Sequence, residues 1–382
     1  MQRVRFETLD GWRGLAALAI AFYHLPVAHP FRDAAGWKNL EFFVDFFFVL
    51  SGFVICHAWG QRLSNLAEAS TFMLRRFWRV WPLHFGILIV FFGLESVEWL
   101  AFKLAGLSLG EAPFSGSSSL PALLSNIVLV QSFNLHGTTT WNGPAWSISV
   151  EFWTYLVFAA VMLMCRGRAW ALALVAAAGA LMVALWSPIW LFATHDFGMP
   201  RALYGFFAGA LVYRLLEGRG NGSRAGSGLE LAAVAAMLVW MASTGMNVTS
   251  MFAPVVFAGL VVVFARGGGI VSAGLVSRPI QALGLWSYSI YLVHTLIYYV
   301  LRISLVAAEK KLGLGFTASG SGSSRVFTFG SGLADAAVIV LLLALTVAIS
   351  AWTYRLIEKP FMVNGSSEES QVRSGRDMPA AV

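Results

Sequence analysis

Ten apolar windows follow one another along the chain, at roughly 12–28, 42–58, 80–102, 144–165, 169–187, 201–216, 229–244, 250–265, 281–301 and 333–357. About 20 apolar residues are what an α-helix needs to cross the hydrocarbon core of a bilayer. No water is available there to satisfy main-chain N–H and C=O groups, so each window must close its own hydrogen bonds as a helix. The repetition predicts an all-α, polytopic integral membrane protein with about ten transmembrane helices. Composition agrees: of 382 residues 58% are apolar and 12% charged. A soluble chain carries about 25% charged residues, so a water-facing surface could not be covered and a soluble fold is excluded.

The loops orient the bundle, because short cytoplasmic loops are enriched in Lys and Arg. With the N-terminus inside, 18 of the 26 basic residues fall at or near the cytoplasm, Arg62 to Arg79 among them. Both termini are then cytoplasmic. This layout requires 120–135 to be an external, non-spanning segment, which Pro121, Gln131, Asn134 and His136 favour. The net charge of +7 sits between apolar runs rather than along a stripe, which argues against nucleic acid as a partner. Arg3 and Arg5 ahead of an apolar run resemble the start of a secretory signal, but Asp10, Arg13 and His24 interrupt or border that run. An uncleaved first helix is therefore expected. Loops 218–228 and 313–332 are rich in small polar residues and read as flexible connections. The chain divides into a membrane-embedded domain, 1–360, and a polar tail, 361–382, expected to be disordered and cytoplasmic. Cys56 and Cys165 are solitary and suggest neither a disulfide nor a zinc site. No H-E-x-x-H, G-x-S-x-G or P-loop is present, and the seven histidines are too scattered to nominate a metal site.

Ionisable groups inside spans are costly, so each is a functional candidate. Arg13 and His24 are eleven residues apart, which places them on nearly one helix face and about 16 Å apart along the axis. With Arg13 at the cytoplasmic boundary, His24 lies near mid-membrane, just before Pro26. It reads as a buried hydrogen-bonded histidine or as a proton acceptor for an attacking hydroxyl. Asp45 opens the second run, and Ser51-Gly52 inside it suits close helix packing. Arg75, Arg76 and Arg79 offer three guanidinium groups, either as topology anchors at lipid headgroups or as ligands for a phosphate-bearing cofactor. In Trp146-Ser147-Ile148-Ser149-Val150-Glu151, Ser147 and Glu151 share a face. Arg201 is a possible partner for Glu151 that spacing alone does not establish. Ser287, Tyr291 and His294 recur at i, i+4 and i+7, a stripe fit for hydrogen bonds between helices or for lining a polar cavity.

Together these segments resemble the bacterial acyltransferase 3 family of integral membrane O-acyltransferases. The resemblance rests on Leu9-Asp10-Gly11-Trp12-Arg13-Gly14 followed by His24, on 44–53, 75–82 and 146–151, and on Arg201 with Gly205 and Gly209. Residues 287–294 and Glu358-Lys359-Pro360 complete it, all in the family's order. It implies a roughly ten-helix protein of the bacterial inner membrane that takes an acyl group, usually acetyl, from cytoplasmic acyl-CoA. The acceptor it implies is a hydroxyl of a carbohydrate or related molecule. It also implies function for Arg13 and His24, and strengthens Arg75, Arg76 and Arg79 as a CoA site. Many members carry a second Glu after Val-Glu; here Phe152 stands there, leaving Glu151 as the one acid of the motif.

The mechanism expected from this reading is direct transfer within a ternary complex. His24 deprotonates the acceptor, Arg13 helps position the cofactor, and Glu151 orients His24 or binds the acceptor. Asp45, Trp146, Ser147, Arg201, Tyr291 and His294 are the expected acceptor-binding residues. A transporter or flippase for a lipid-linked glycan is the rival, since it too needs polar residues within spans. Release of CoA discriminates the two.

Overall fold

The computed structural model describes residues 5–34, 36–106, 112–217, 224–320 and 324–362. Its helices are α1 (Glu7–Tyr23), α2 (Phe43–Trp59), α3 (Leu66–Ala105), α4 (Leu120–Ile127), α5 (Trp146–Cys165) and α6 (Ala169–Trp186). They continue as α7 (Gly198–Leu216), α8 (Ser227–Ser243), α9 (Ala253–Arg266), α10 (Ile270–Leu275), α11 (Arg278–Leu312) and α12 (Gly332–Thr353). A π turn, Tyr354–Glu358, prolongs α12, and helix continues from it to Met362. From 363 onward the expected disordered tail lies outside the described residues.

Among the described residues, seven segments are long and apolar enough to cross a membrane, which makes this a multi-pass membrane protein. Ten were expected from the windows. The other three windows form α1, α7 and α8, of 17, 19 and 17 residues. Their reduced length or hydropathy has a physical cause in α1 and α7, which are enclosed by neighbours. Helix α1 packs on α11, α2 and α9, and α7 on α2, α6 and α5. A helix surrounded by protein can carry Arg13 or Arg201 where one facing lipid cannot.

Close approach between α2 and α7 depends on two glycines. A Cβ on Gly52 would stand 1.8 Å from the Phe206 carbonyl oxygen, and one on Gly209 would stand 1.9 Å from that of Val49. The expectation of close packing at Ser51-Gly52 is met by Gly52.

Two segments differ from a plain helix-and-loop scheme. Segment 120–135 is non-spanning as expected, but it contains the eight-residue α4. The described residues of loop 313–332, 313–320 and 324–332, are more structured than their composition suggests. Within it, β1 (Thr317–Ser319) pairs antiparallel with β2 (Val326–Phe327). Phe327 is fully buried, and its main chain bonds Pro26 O and Ala28 N on the segment leaving α1. Buried Val326 and Phe327, with these main-chain bonds, anchor the described part of a loop rich in Gly and Ser.

Candidate active site

His24 caps the C-terminal end of α1, where Pro26 prevents the helix from continuing. Its Nδ1 lies 3.0 Å from Ile20 O and 3.2 Å from His294 Nε2. His294, on α11 and fully buried, places its own Nδ1 3.0 Å from Ile290 O. A carbonyl can only accept, so each ring carries its proton on Nδ1. His294 Nε2 is then an acceptor for the His24 Nδ1–H, which it shares with Ile20 O. His24 Nε2 keeps its lone pair, the form a base needs.

The His24 ring is exposed to a cavity of about 1000 Å³. The cavity is lined by the C-terminal end of α1, the start of α2, residues 116–118 and 138–146, the middle of α11 and the hairpin residues Ser324, Arg325 and Val326. Tyr23, Trp37, Trp141, Trp146, Tyr291 and Tyr298 supply aromatic wall; Arg32, Lys38, Glu41, Thr138 and Arg302 supply polar groups. Such a mixture of ring faces and hydrogen-bonding groups suits a hydroxylated, partly apolar molecule.

One wall is held by an ion pair. Arg201 Nε and Nη2 reach the two Asp45 oxygens at 3.0 and 2.7 Å, with the side chains 1% and 0% exposed. Arg201 also donates to Ala193 O at 2.8 Å and lies over the Trp146 ring. Its partner is therefore Asp45, not Glu151. Arg201 and Trp146 line the cavity, whereas Asp45 stands behind them as support. On the floor, the Ser147 and Tyr291 hydroxyls are 2.8 Å apart, joining α5 to α11.

Glu151 lies one turn further along α5, about 6 Å beyond Ser147. It accepts hydrogen bonds from Ser51 Oγ at 2.8 Å and Tyr155 OH at 2.6 Å. Among the described residues, His294 and not Glu151 contacts the His24 imidazole. The stripe on α11 thus makes three separate inter-helix contacts: Ser287 accepts from Arg13 at 3.2 Å, Tyr291 meets Ser147, and His294 meets His24.

The basic end of the bundle is more divided than its sequence. Arg75 lies over Trp59, Arg76 over Phe72 and Tyr155, and Arg79 over Tyr288. Arg79 is also paired with Glu358, which the π turn carries into the interior and which accepts from Ser289 Oγ as well. Arg13 lies close enough to Arg79, Glu151 and Glu358 to feel the charge of each. Tyr155 escaped the reading of the sequence, although it sits four residues after Glu151, and Ser51 stood in it only as part of a close-packing pair. Glu41 and Tyr23 escaped it in the cavity; Glu41 is four residues before Asp45, and Tyr23 adjoins His24.

A histidine pair at the foot of a cavity, within a bundle of membrane-length helices, marks the chain as a multi-pass membrane protein with a polar site enclosed among its helices. The chain belongs to the acyltransferase 3 family: the family described as "Acyltransferase domain" matches residues 6–355. Over 167 residues it is 34% identical to the protein named Acyltransferase MdmB of Streptomyces mycarofaciens, spanning 41% of this chain and 38% of that protein. Over 169 residues it is 32% identical to Protein 2 in picA locus of Rhizobium radiobacter, spanning 41% of this chain and 81% of that protein. No solved structure matches.

Proposed function

We propose that this protein is a membrane-bound O-acyltransferase of the bacterial inner membrane. It moves an acyl group, acetyl in the simplest case, from cytoplasmic acyl-CoA to a hydroxyl of a carbohydrate or related acceptor. The observation that carries this reading is His24: its Nδ1 is committed to Ile20 O and His294, so Nε2 is available as a base on the wall of a cavity large enough for a sugar.

Ten spans with both termini inside would place the cavity mouth outside and the arginines of α3 inside. The acceptor then enters from one face and acyl-CoA from the other. Arg75, Arg76 and Arg79 are the candidates for the CoA phosphates, with Arg13 beside the path of the pantetheine arm. Glu151, Ser51 and Tyr155 belong to that path rather than to the acceptor, because they lie beyond the cavity floor. In the reaction, the acceptor oxygen attacks the thioester carbonyl while its proton passes to His24 Nε2. The C–O bond forms, the C–S bond breaks, and the proton passes on to the CoA sulfur. His294 keeps the His24 tautomer and orientation and disperses charge as the imidazolium forms.

The test is release of CoA thiol from acetyl-CoA by the purified protein supplied with carbohydrate extracted from cells lacking the gene, with mass spectrometry of the carbohydrate. A mass gain of one acetyl group that depends on the protein is expected. Movement of a glycan without release of CoA would instead favour a transporter.

A further inference from the structure

Glu41 stands in the final stretch before α2, on the cavity wall, and the reaction outlined above gives it no task. Its side chain makes one hydrogen bond among the described residues, a long one of 3.4 Å from Tyr23 OH to Oε2. Oε1 has no hydrogen-bond partner. A carboxylate can accept about four hydrogen bonds, and leaving a buried one largely unmet is destabilising. The cation whose charge acts on it offers little relief. Arg201 feels the Glu41 charge, but its guanidinium is committed to Asp45 and Ala193 O. Tyr23 links Glu41 to the base, since its ring also meets that of His24 with centroids 4.9 Å apart. Glu41 itself lines the cavity, and a partial turn of the carboxyl group about its soft last bond would bring the enclosed oxygen to that wall.

We infer that Glu41 is an acceptor-binding residue: its carboxylate receives a hydrogen bond from a second hydroxyl of the acceptor while His24 takes the proton of the first. The inference rests on the proposed O-acyl transfer and narrows its substrate class. An acceptor with a single hydroxyl leaves Glu41 unmet, whereas a hydroxyl-rich ring satisfies both groups at once. A neutral hydroxyl donor fits better than an ammonium group, because Arg32, Lys38 and Arg302 line the same cavity. A site built to bond a substrate hydroxyl rejects molecules that lack it far more strongly than an apolar pocket rejects a missing methylene. Glu41 would therefore set specificity as well as affinity.

The test uses a strain lacking the gene, complemented with the parent, Glu41→Ala, Glu41→Gln, Tyr23→Phe and His24→Ala at matched protein levels. O-acyl esters on total extracted carbohydrate are measured with hydroxylamine and by mass spectrometry, and binding of acetyl-CoA to each purified protein is titrated. Glu41→Ala should lower ester by at least about tenfold, the loss expected for one hydrogen bond to a charged group, with acetyl-CoA binding unchanged. Glu41→Gln should fall between, because its carbonyl still accepts one bond. Tyr23→Phe should lose less than Glu41→Ala. Parent-like ester with Glu41→Ala overturns the inference. So does a Tyr23→Phe loss as large as that of Glu41→Ala, which would make Glu41 a support for Tyr23, or a loss of acetyl-CoA binding, which would make it structural. If the parent itself adds no ester above the null strain, the proposed O-acyl transfer fails, and this inference with it; the other outcomes leave that reading standing.

Discussion

His294 Nε2 meets His24 Nδ1 at 3.2 Å, joining residues 270 positions apart. The contact leaves His24 Nε2 with its lone pair at the cavity and the His294 ring fully buried. Replacing His24 by Ala should lower CoA release by ~10²- to 10⁴-fold, the range of general-base catalysis. Replacing His294 by Ala should cost less, about fivefold, since it removes a bond of about 1 kcal/mol that fixes an orientation. Near-normal transfer by purified His24→Ala would remove the base from the scheme.

The Asp45–Arg201 pair supports the cavity wall, and its burial makes single replacements costly. Asp45→Ala should destabilise by roughly 3–5 kcal/mol, because a guanidinium is left in the interior with only Ala193 O to satisfy it. Asp45→Leu combined with Arg201→Met should recover much of that loss in thermal unfolding of the detergent-solubilised protein. If Asp45→Ala unfolds at the parent temperature, the pair has no structural role.

Glycines at the α2–α7 contact should tolerate no side chain. Gly52→Ala and Gly209→Ala drive a methyl group into a carbonyl oxygen, so both should reduce the yield of folded protein. Gly93, on the same kind of helix but with nothing within 4 Å of an added Cβ, is the control. Gly93→Ala should be neutral or stabilise by up to about 1 kcal/mol. Equal yields for all three variants would mean that α2 and α7 can separate without penalty.

Much of this arrangement was legible in the sequence because membrane helices follow simple rules. Apolar windows mark helices, and an ionisable residue inside one must have a reason to be there. His24, Asp45, Arg201 and His294 stood out on that ground. What spacing cannot supply is a partner on another helix. Asp45 and Arg201 are 156 residues apart, and nothing local distinguishes Asp45 from Glu151 as the acid that Arg201 meets. Arg75, Arg76 and Arg79 read as one basic cluster, yet on a helix they point to Trp59, Tyr155 and Glu358 in turn. Glu41 escaped because it falls just outside the apolar window, where an acid arouses no suspicion. The hairpin at 313–332 escaped because two buried residues, Val326 and Phe327, carry its order within a stretch whose composition speaks for flexibility.

Arg79 and Arg76 should separate by experiment despite their proximity. Arg79→Glu faces the buried Glu358 with a second carboxylate and should lose folded protein, while pairing it with Glu358→Arg should restore yield. Arg76→Gln leaves no buried charge unmatched in this way and should reduce acetyl-CoA binding with normal folding. If Arg79→Glu folds like the parent and loses only acetyl-CoA binding, Arg79 is a phosphate ligand before it is a partner of Glu358.

Sidedness decides whether acyl-CoA and acceptor approach from opposite faces. Ser64 precedes α3 at the basic end, and Ser319 lies on β1 beside the cavity mouth; both are exposed. Single cysteines at these positions, in a background with Cys56 and Cys165 replaced, can be treated with a membrane-impermeant thiol reagent on intact cells whose outer membrane is permeabilised. Charge distribution assigns the basic end to the cytoplasm, so the Ser319 site should label and the Ser64 site should label only after the inner membrane is broken. The opposite pattern would turn the cavity toward the cytoplasm and the arginines of α3 away from it. Acyl-CoA would then have to share the entrance used by the acceptor, and the two-sided route would be wrong.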